Sequence, residues 1–436
     1  MTNSKLKCAF CGRTEDDAFL LTSPLGHGVA ICDDCVKIAY DCVQEALGTH
    51  EEKVAAKVAA SATSRTPSTA VEKNAEEMTP TEIRRFLDEY VIGQDYAKRI
   101  LSVAVYNHMK MLNHYDTIQK GDVEIEKSNV LMVGPSGCGK THIIRNLARL
   151  FKVPYAIADA TTLTESGYVG SDVETVLQKL LFSANGDVKQ AERGIVFIDE
   201  IDKKANKSQE NNSITRDVSG EGVQQGLLKL IEGGIVDVQL SGQRRHPYAD
   251  TVPVDTSKIL FVVGGAFPGI DQIIKKRLHY KANSSVGLSL EGQEQKLQAD
   301  VGYNEVIDQA IADDFRKFGL IPEFIGRLPV ICPMKELTEQ ELVEILTQPK
   351  NALVKQYQAM LAYDNVELKF TDEALKAIAH QAITTKTGAR GLRSIMEHLL
   401  LDTMYSIPEQ ARQSGGGTLT ITEDNILKGS PLKLEK

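Results

Sequence analysis

Residues 129–151, "NVLMVGPSGCGKTHIIRNLARLF", decide the fold. An apolar run leads into a glycine loop and then into an amphipathic pattern, which reads as strand, loop and helix. Gly134, Gly139, Lys140 and Thr141 satisfy G-x-x-x-x-G-K-T in that context, so the fold class expected is α/β with a P-loop. The loop Gly134, Pro135, Ser136, Gly137, Cys138, Gly139, Lys140, Thr141 is the expected cradle for ATP. Its backbone N–H groups curl around phosphate oxygens, and the helix N-terminus adds partial positive charge. Lys140 is expected on the β- and γ-phosphates, and Thr141 on Mg2+. Cys138 fills a variable loop position, and its place near Lys140 and a helix start predicts a lowered thiol pKa.

Working outward, residues 194–202, "GIVFIDEID", read as a buried strand closed by acids. After a P-loop this is the expected second half of the site: Asp199 orients magnesium and Glu200 polarises the attacking water. Asp202 and Lys203 read as ordinary surface charges. These residues together predict ATP hydrolysis, without saying what the energy is used for.

Toward the N-terminus, Cys8 and Cys11 form one C-x-x-C, and Cys32 and Cys35 form a second. Two such knuckles supply the four-sulfur tetrahedral shell that Zn2+ accepts. In "CDDCVKIAYDCVQEALG", Val36, Ala39, Val43 and Leu47 then fall at helical spacing, with Gly48 as a stop. So short a module has little core, and metal binding, worth an apparent ~10–16 kcal/mol in small zinc peptides, is expected to supply much of its folding energy. It mixes acids with few basic residues, which favours protein docking or self-association over nucleic-acid binding. Residues 50–77 are rich in Ala, Ser, Thr and charge with almost no large apolar residues, and they read as a flexible linker.

The chain has 436 residues, 42% hydrophobic and 25% charged, which fits a globular protein of about three domains. Fifty Lys+Arg against 59 Asp+Glu give a formal charge of −9, so no global basic field gathers nucleic acid or anionic membrane. No segment offers ~18 uninterrupted apolar residues, and the first nineteen lack the apolar run of an export signal. Seven cysteines without such a signal point to thiols or metal ligands in a reducing compartment. A cytoplasmic location follows as the expectation.

Further segments carry a resemblance that the P-loop alone does not. They are "YVIGQDYAKRILSVAVYNH" (90–108), "ADATTLTESGYVGSDVE" (158–174), "SITRDVSGEGVQQGLLKLIEG" (213–233), "FGLIPEFIGRLPV" (318–330) and "KTGARGLRSIMEHLLLDTMY" (386–405). With the four-cysteine module and linker in front, their order and spacing resemble the ClpX family of AAA+ protein unfoldases. The resemblance implies a P-loop AAA+ module, a parallel sheet flanked by helices, with an N-terminal zinc-binding module and a small, mostly helical C-terminal domain. The expected division is 1–48 zinc module, 49–78 linker, 79–333 large domain and 334–436 small domain. The C-terminal part rests on the long amphipathic pattern 338–361, a short strand "VELKF", the helix "DEALKAIAHQAI" and a closing strand in "GGGTLTITEDNIL".

The resemblance also implies a homohexamer with ATP at subunit boundaries, protein substrates and adaptors, and partnership with a ClpP-type peptidase. Position by position, Val91 and Ile92 match the segment flanking adenine. Arg327 in "FIGR" matches the arginine finger, and Arg390 in "GAR" the second sensor of the small domain. "GYVG" matches the pore loop: Tyr168 and Val169 offer sequence-tolerant apolar contact, and the flanking glycines give the backbone freedom to shift. Arg244, Arg245 and His246 match a basic loop at the pore entrance, where the family usually shows Arg-Lys-His. The peptidase-docking tip departs from the family's Ile-Gly-Phe, because "KANSSVGLSLEG" (281–292) places Val286, Gly287 and Leu288 there. Leucine lacks the ring that lets a buried aromatic cover ~150–250 Å². Two other functions fit the same residues: a peptidase-independent disassembly chaperone, and a zinc-containing nucleic-acid ATPase.

Overall fold

The computed structural model describes residues 7–9, 11, 13–14, 19–22, 30–36, 78–115, 125–164, 171–205, 218–239, 251–284, 302–427, 430, 432 and 434–435. The chain divides into two compact units, Met1–Glu72 and Lys73–Lys436. In the first, strands β1 (Leu20–Thr22) and β2 (Ala30–Cys32) pair antiparallel, with Leu21 opposite Ile31.

The second unit is built on a five-stranded sheet. Its strands are β3 (Val130–Val133), β4 (Tyr155–Asp159), β7 (Ile195–Asp199), β10 (Leu260–Gly265) and β11 (Val330–Pro333), in the order β11-β3-β10-β7-β4. Every pairing is parallel. Four-residue runs such as "VLMV" are buried throughout because helices cover both faces, so the strands read as continuous apolar segments without alternation. Alternate side chains enter different cores. Leu131, Val133, Val196 and Ile198 pack on one face with the helices Thr175–Ser183 and Val218–Glu232. Val130, Met132 and Phe197 pack on the other with the helices Pro80–Asp88, Asp95–Asn113 and Lys140–Phe151. Chain reversals between non-adjacent strands leave the carboxyl ends of β3, β7 and β10 side by side, which is where ligands bind in sheets of this kind. Pro333 ends the edge strand β11, a position that needs no further ladder donor.

Between these elements lie two smaller pairs. β5 (Leu163–Thr164) pairs with β6 (Ser171–Asp172), flanking residues 165–170. β8 (Ile235–Gln239) pairs antiparallel with β9 (Thr251–Asp255), flanking 240–250.

From Leu337 onward a separate core gathers Leu342, Leu346, Ile378, Leu392, Met396, Leu400 and Ile421. The pattern 338–361 is two helices, Glu339–Thr347 and Leu353–Ala362, because Pro349 lacks the N–H and clashes with the preceding turn. Thr338 and Glu341 form a reciprocal capping box that starts the first of them. The expected strand and helix follow as β12 (Val366–Phe370) and Asp372–Thr384. The long helix Ala389–Ser414 leads to β13 (Gly417–Ile421), parallel to β12, and β14 (Leu434–Glu435) closes this sheet. Among the described residues, no helix is long and apolar enough to cross a membrane.

Candidate functional site

The P-loop leaves β3 at Gly134, whose N–H donates to Gly265 O of β10 at 3.2 Å. A Cβ at Gly134 would lie 2.7 Å from Met334 Cβ, so only glycine lets the loop start this close to the end of β11. Gly137 and Gly139 take φ of 80° and 103°, which side-chain-bearing residues adopt at a cost. Lys140 then opens the helix and turns its ammonium back onto the loop, with Nζ 2.6 Å from Gly134 O and 3.1 Å from Pro135 O. Thr141 Oγ1 donates to Asp199 Oδ2 at 3.4 Å, across from the end of β7. The two halves predicted from separate stretches therefore converge, and a hydroxyl facing a carboxylate is a donor set suited to Mg2+. Glu200 follows with φ 61°, a left-handed conformation for a residue with a side chain, and its N–H donates to Asp199 Oδ1 at 2.9 Å. Strain of this kind gathers at functional sites.

Val91 is buried and Ile92 half-buried. Gln94, two residues on, clamps the chain between them and Lys335: its amide donates to Lys335 O at 2.8 Å and accepts from Lys335 N–H at 3.0 Å. The C-terminal part of the unit also touches the P-loop directly. Ala389 N–H donates to Gly137 O at 3.2 Å, and a Cβ on Gly137 would lie 2.4 Å from Thr387 O. Arg390, the next residue, is exposed at the start of its helix. Arg327 is exposed at the end of helix Pro322–Gly326, with its Nε 3.2 Å from Glu232 Oε1.

Two expectations are corrected. Cys138 is not an activated thiol: its side chain is buried with Sγ 3.9 Å from Met334 Sδ, and burial pushes its pKa up despite the opposing pull of Lys140. Asp202 is not a surface charge either. It is buried, and its Oδ1 accepts Ala266 N–H at 3.0 Å just beyond β10, while Lys203 is exposed as expected. An acid two residues after Glu200 on a 3-10 turn faces inward, and the sequence gives no periodicity there to reveal it.

Tyr168 and Val169 lie outside the described residues, as do Arg244, Arg245, His246, Val286, Gly287 and Leu288.

In the first unit the sulfurs of Cys8, Cys11, Cys32 and Cys35 all lie within 4.8 Å of one another. Cys11 Sγ is 3.5 Å from Cys32 Sγ, close to the ~3.8 Å edge of a tetrahedron with zinc–sulfur bonds of about 2.3 Å. Cys32 N–H also donates to Cys8 Sγ at 3.3 Å. Crowded thiols resist ionisation: the Cys35 thiol is pushed up to about 12, first by hydrogen bonding with Cys32 and then with Cys11. A divalent cation removes that penalty, and the four residues fit Zn2+.

Comparison with known proteins agrees with both halves. The AAA domain (Cdc48 subfamily) family matches residues 125–331, and the C-terminal, D2-small domain of ClpB protein matches 337–421. The ClpX C4-type zinc finger family matches 6–45. A relative from Treponema denticola, the ATP-dependent Clp protease ATP-binding subunit ClpX, is 49% identical over 404 residues, 92% of this chain and 90% of its own length.

Proposed function

The chain belongs to the ClpX family of AAA+ ATPases, and from that premise we propose that it assembles as a six-membered ring that unfolds proteins by threading them through a central pore. Delivery to a ClpP-type peptidase is part of the proposal. The observation that carries it is the likeness to a Clp protease ATP-binding subunit over 92% of the chain.

We assign domains at 1–48, 79–333 and 334–436, joined in the first case by the linker 49–78. Lys140 moves from the carbonyls of Gly134 and Pro135 onto the β- and γ-phosphates. Thr141 and Asp199 hold Mg2+, which supplies charge neutralisation during phosphoryl transfer. Glu200, fixed by its strained backbone beside Asp199, takes the proton of the attacking water. Arg327 leaves Glu232 and reaches the γ-phosphate held by the next subunit, and its fork suits a group that appears and disappears. Arg390 reads the same phosphate from within the subunit, and the Ala389–Gly137 bond couples its helix to the P-loop. Val91 and Ile92 pack on the adenine. Tyr168 and Val169 grip the polypeptide, while Arg244, Arg245 and His246 collect carboxylate-bearing tails at the entrance.

A second reading, a disassembly chaperone that works without a peptidase, is favoured by one feature: Val286, Gly287 and Leu288 offer no aromatic tip. The test uses a folded, tail-bearing fluorescent protein with ATP. Wild type is expected to unfold it, and Tyr168→Ala to hydrolyse ATP while unfolding at least ~10-fold more slowly, the loss of roughly 1.4 kcal/mol of grip. Intact unfolding by Tyr168→Ala contradicts the pore assignment. Substrate unfolded yet never degraded after addition of a ring peptidase selects the second reading.

A further inference from the structure

The sheet holds the hydrolytic residues of one site, while Arg327 is assigned to the site next door. Among the described residues, the side chain of Gln224, fully buried on helix Val218–Glu232, bridges the two. Its Nε2 donates to Lys204 O at 2.8 Å, at the end of the 3-10 turn Ile201–Lys204 that begins one residue after Glu200. Its Oε1 accepts Ile321 N–H at 2.8 Å. Ile321 is the N-cap of helix Pro322–Gly326, and Arg327 is the C-cap of that helix. Because Pro322 has no N–H, Ile321 supplies the nearest backbone donor at this end of the helix.

The geometry points to Gln224 as a positioning residue that couples Glu200 in a subunit's own site to Arg327 in its neighbour's. This rests on the reading of Arg327 as a finger acting in trans. Both connected elements are a single short turn, so displacement at one end of either reaches the other end without bending. A side chain must donate at one end and accept at the other, and a glutamine amide does both at this reach. A second buried amide supports the far end. Asn129 Nδ2 donates to Arg327 O at 3.1 Å and Ile231 O at 3.3 Å, and its Oδ1 accepts Phe261 N–H at 3.3 Å. Arg327 is therefore tied by its backbone to the foot of β3 and by its helix to the turn after Glu200. When loss of the γ-phosphate shifts Glu200, the pull on Lys204 passes through Gln224 to the finger.

The test compares full-length variants by ATP hydrolysis and thermal melting. Gln224→Met keeps the length and removes both bonds. Gln224→Glu keeps acceptance from Ile321 and loses donation to Lys204. Leu227→Ala removes a fully buried side chain one turn along the same helix and leaves the bridge intact. Both Gln224 variants are expected to keep KM for ATP within about twofold, to lose roughly 10-fold in kcat as misplacement of catalytic groups does, and to show a Hill coefficient near one. Leu227→Ala is expected to melt lower and keep the Hill coefficient of wild type. Either Gln224 variant folded with wild-type kcat and Hill coefficient overturns the proposal, as do Leu227→Ala losses that match those of Gln224 at equal melting temperature. Arg327→Ala serves as the reference: wild-type hydrolysis there removes the finger assignment, whereas its loss beside normal Gln224 variants removes only the bridge.

Discussion

The unit Met1–Glu72 and the unit Lys73–Lys436 are held together by different chemistry. In the smaller, the buried apolar positions among the described residues are Cys8, Ala30 and Cys32, two of them metal ligands by type. In the larger, apolar cores lie on both faces of the five-stranded sheet, and a third fills the C-terminal part. The first is expected to depend on coordination and the second on burial of apolar surface, so each perturbation should act on one unit and leave the other unmoved.

The largest effect expected is from zinc removal. Chelation, or Cys32→Ser, should unfold the first unit, since the metal carries an apparent ~10–16 kcal/mol in modules of this size. The melting transition of the ATPase unit should not move. Amide spectra of the zinc unit alongside calorimetry of the whole chain check this, and a common shift of both would erase the distinction.

The converse is Phe197→Ala. Phe197 is fully buried on β7, close enough that a Cβ on Gly264 of the neighbouring strand would lie 2.8 Å from its Cζ. The cavity should cost about 3–5 kcal/mol and lower the ATPase transition with zinc stoichiometry unchanged.

A smaller effect concerns a half-buried lysine in the ATPase unit. Lys127 donates to Thr256 O at 2.6 Å and lies over the Phe261 ring, and burial pushes its pKa down to about 7 from 10.5. Between those values the unfolded chain binds the extra proton and the folded one does not, so stability is complete above about 10.5 and is lost as pH falls to about 7. Lys127→Met should flatten this dependence by about 1 kcal/mol or more between pH 7 and 9.5, read as a change of ~2–4 °C in the spread of melting temperatures. Among its described residues the zinc unit shows no such group, so an equal flattening there would break the comparison.

How much of this was legible follows from what each feature needs. The P-loop and the four cysteines are local: the spacing of Gly134, Gly139, Lys140 and Thr141, or of two C-x-x-C pairs, already encodes the chemistry. The meeting of Thr141 with Asp199 required only that a strand end in an acid. Strand order was not readable, because nothing local says that β10 lies between β3 and β7. Cys138 misled because its neighbourhood in sequence is cationic while its side chain turns inward against Met334, 196 residues away. Asp202, Gln94, Gln224 and Asn129 are polar residues whose partners are distant backbone groups, and only the fold reveals that they are buried. A lone amide in an apolar helix face, as at Gln224, was the one available signal.

Arg327 can act as a finger only if the site is completed by a neighbouring copy. Sedimentation of the full-length protein at cellular concentration, saturated with a non-hydrolysable ATP analogue, tests it most directly. A six-subunit species is expected; a monomer under those conditions would leave Arg327 with no phosphate to reach and would rule out the shared site.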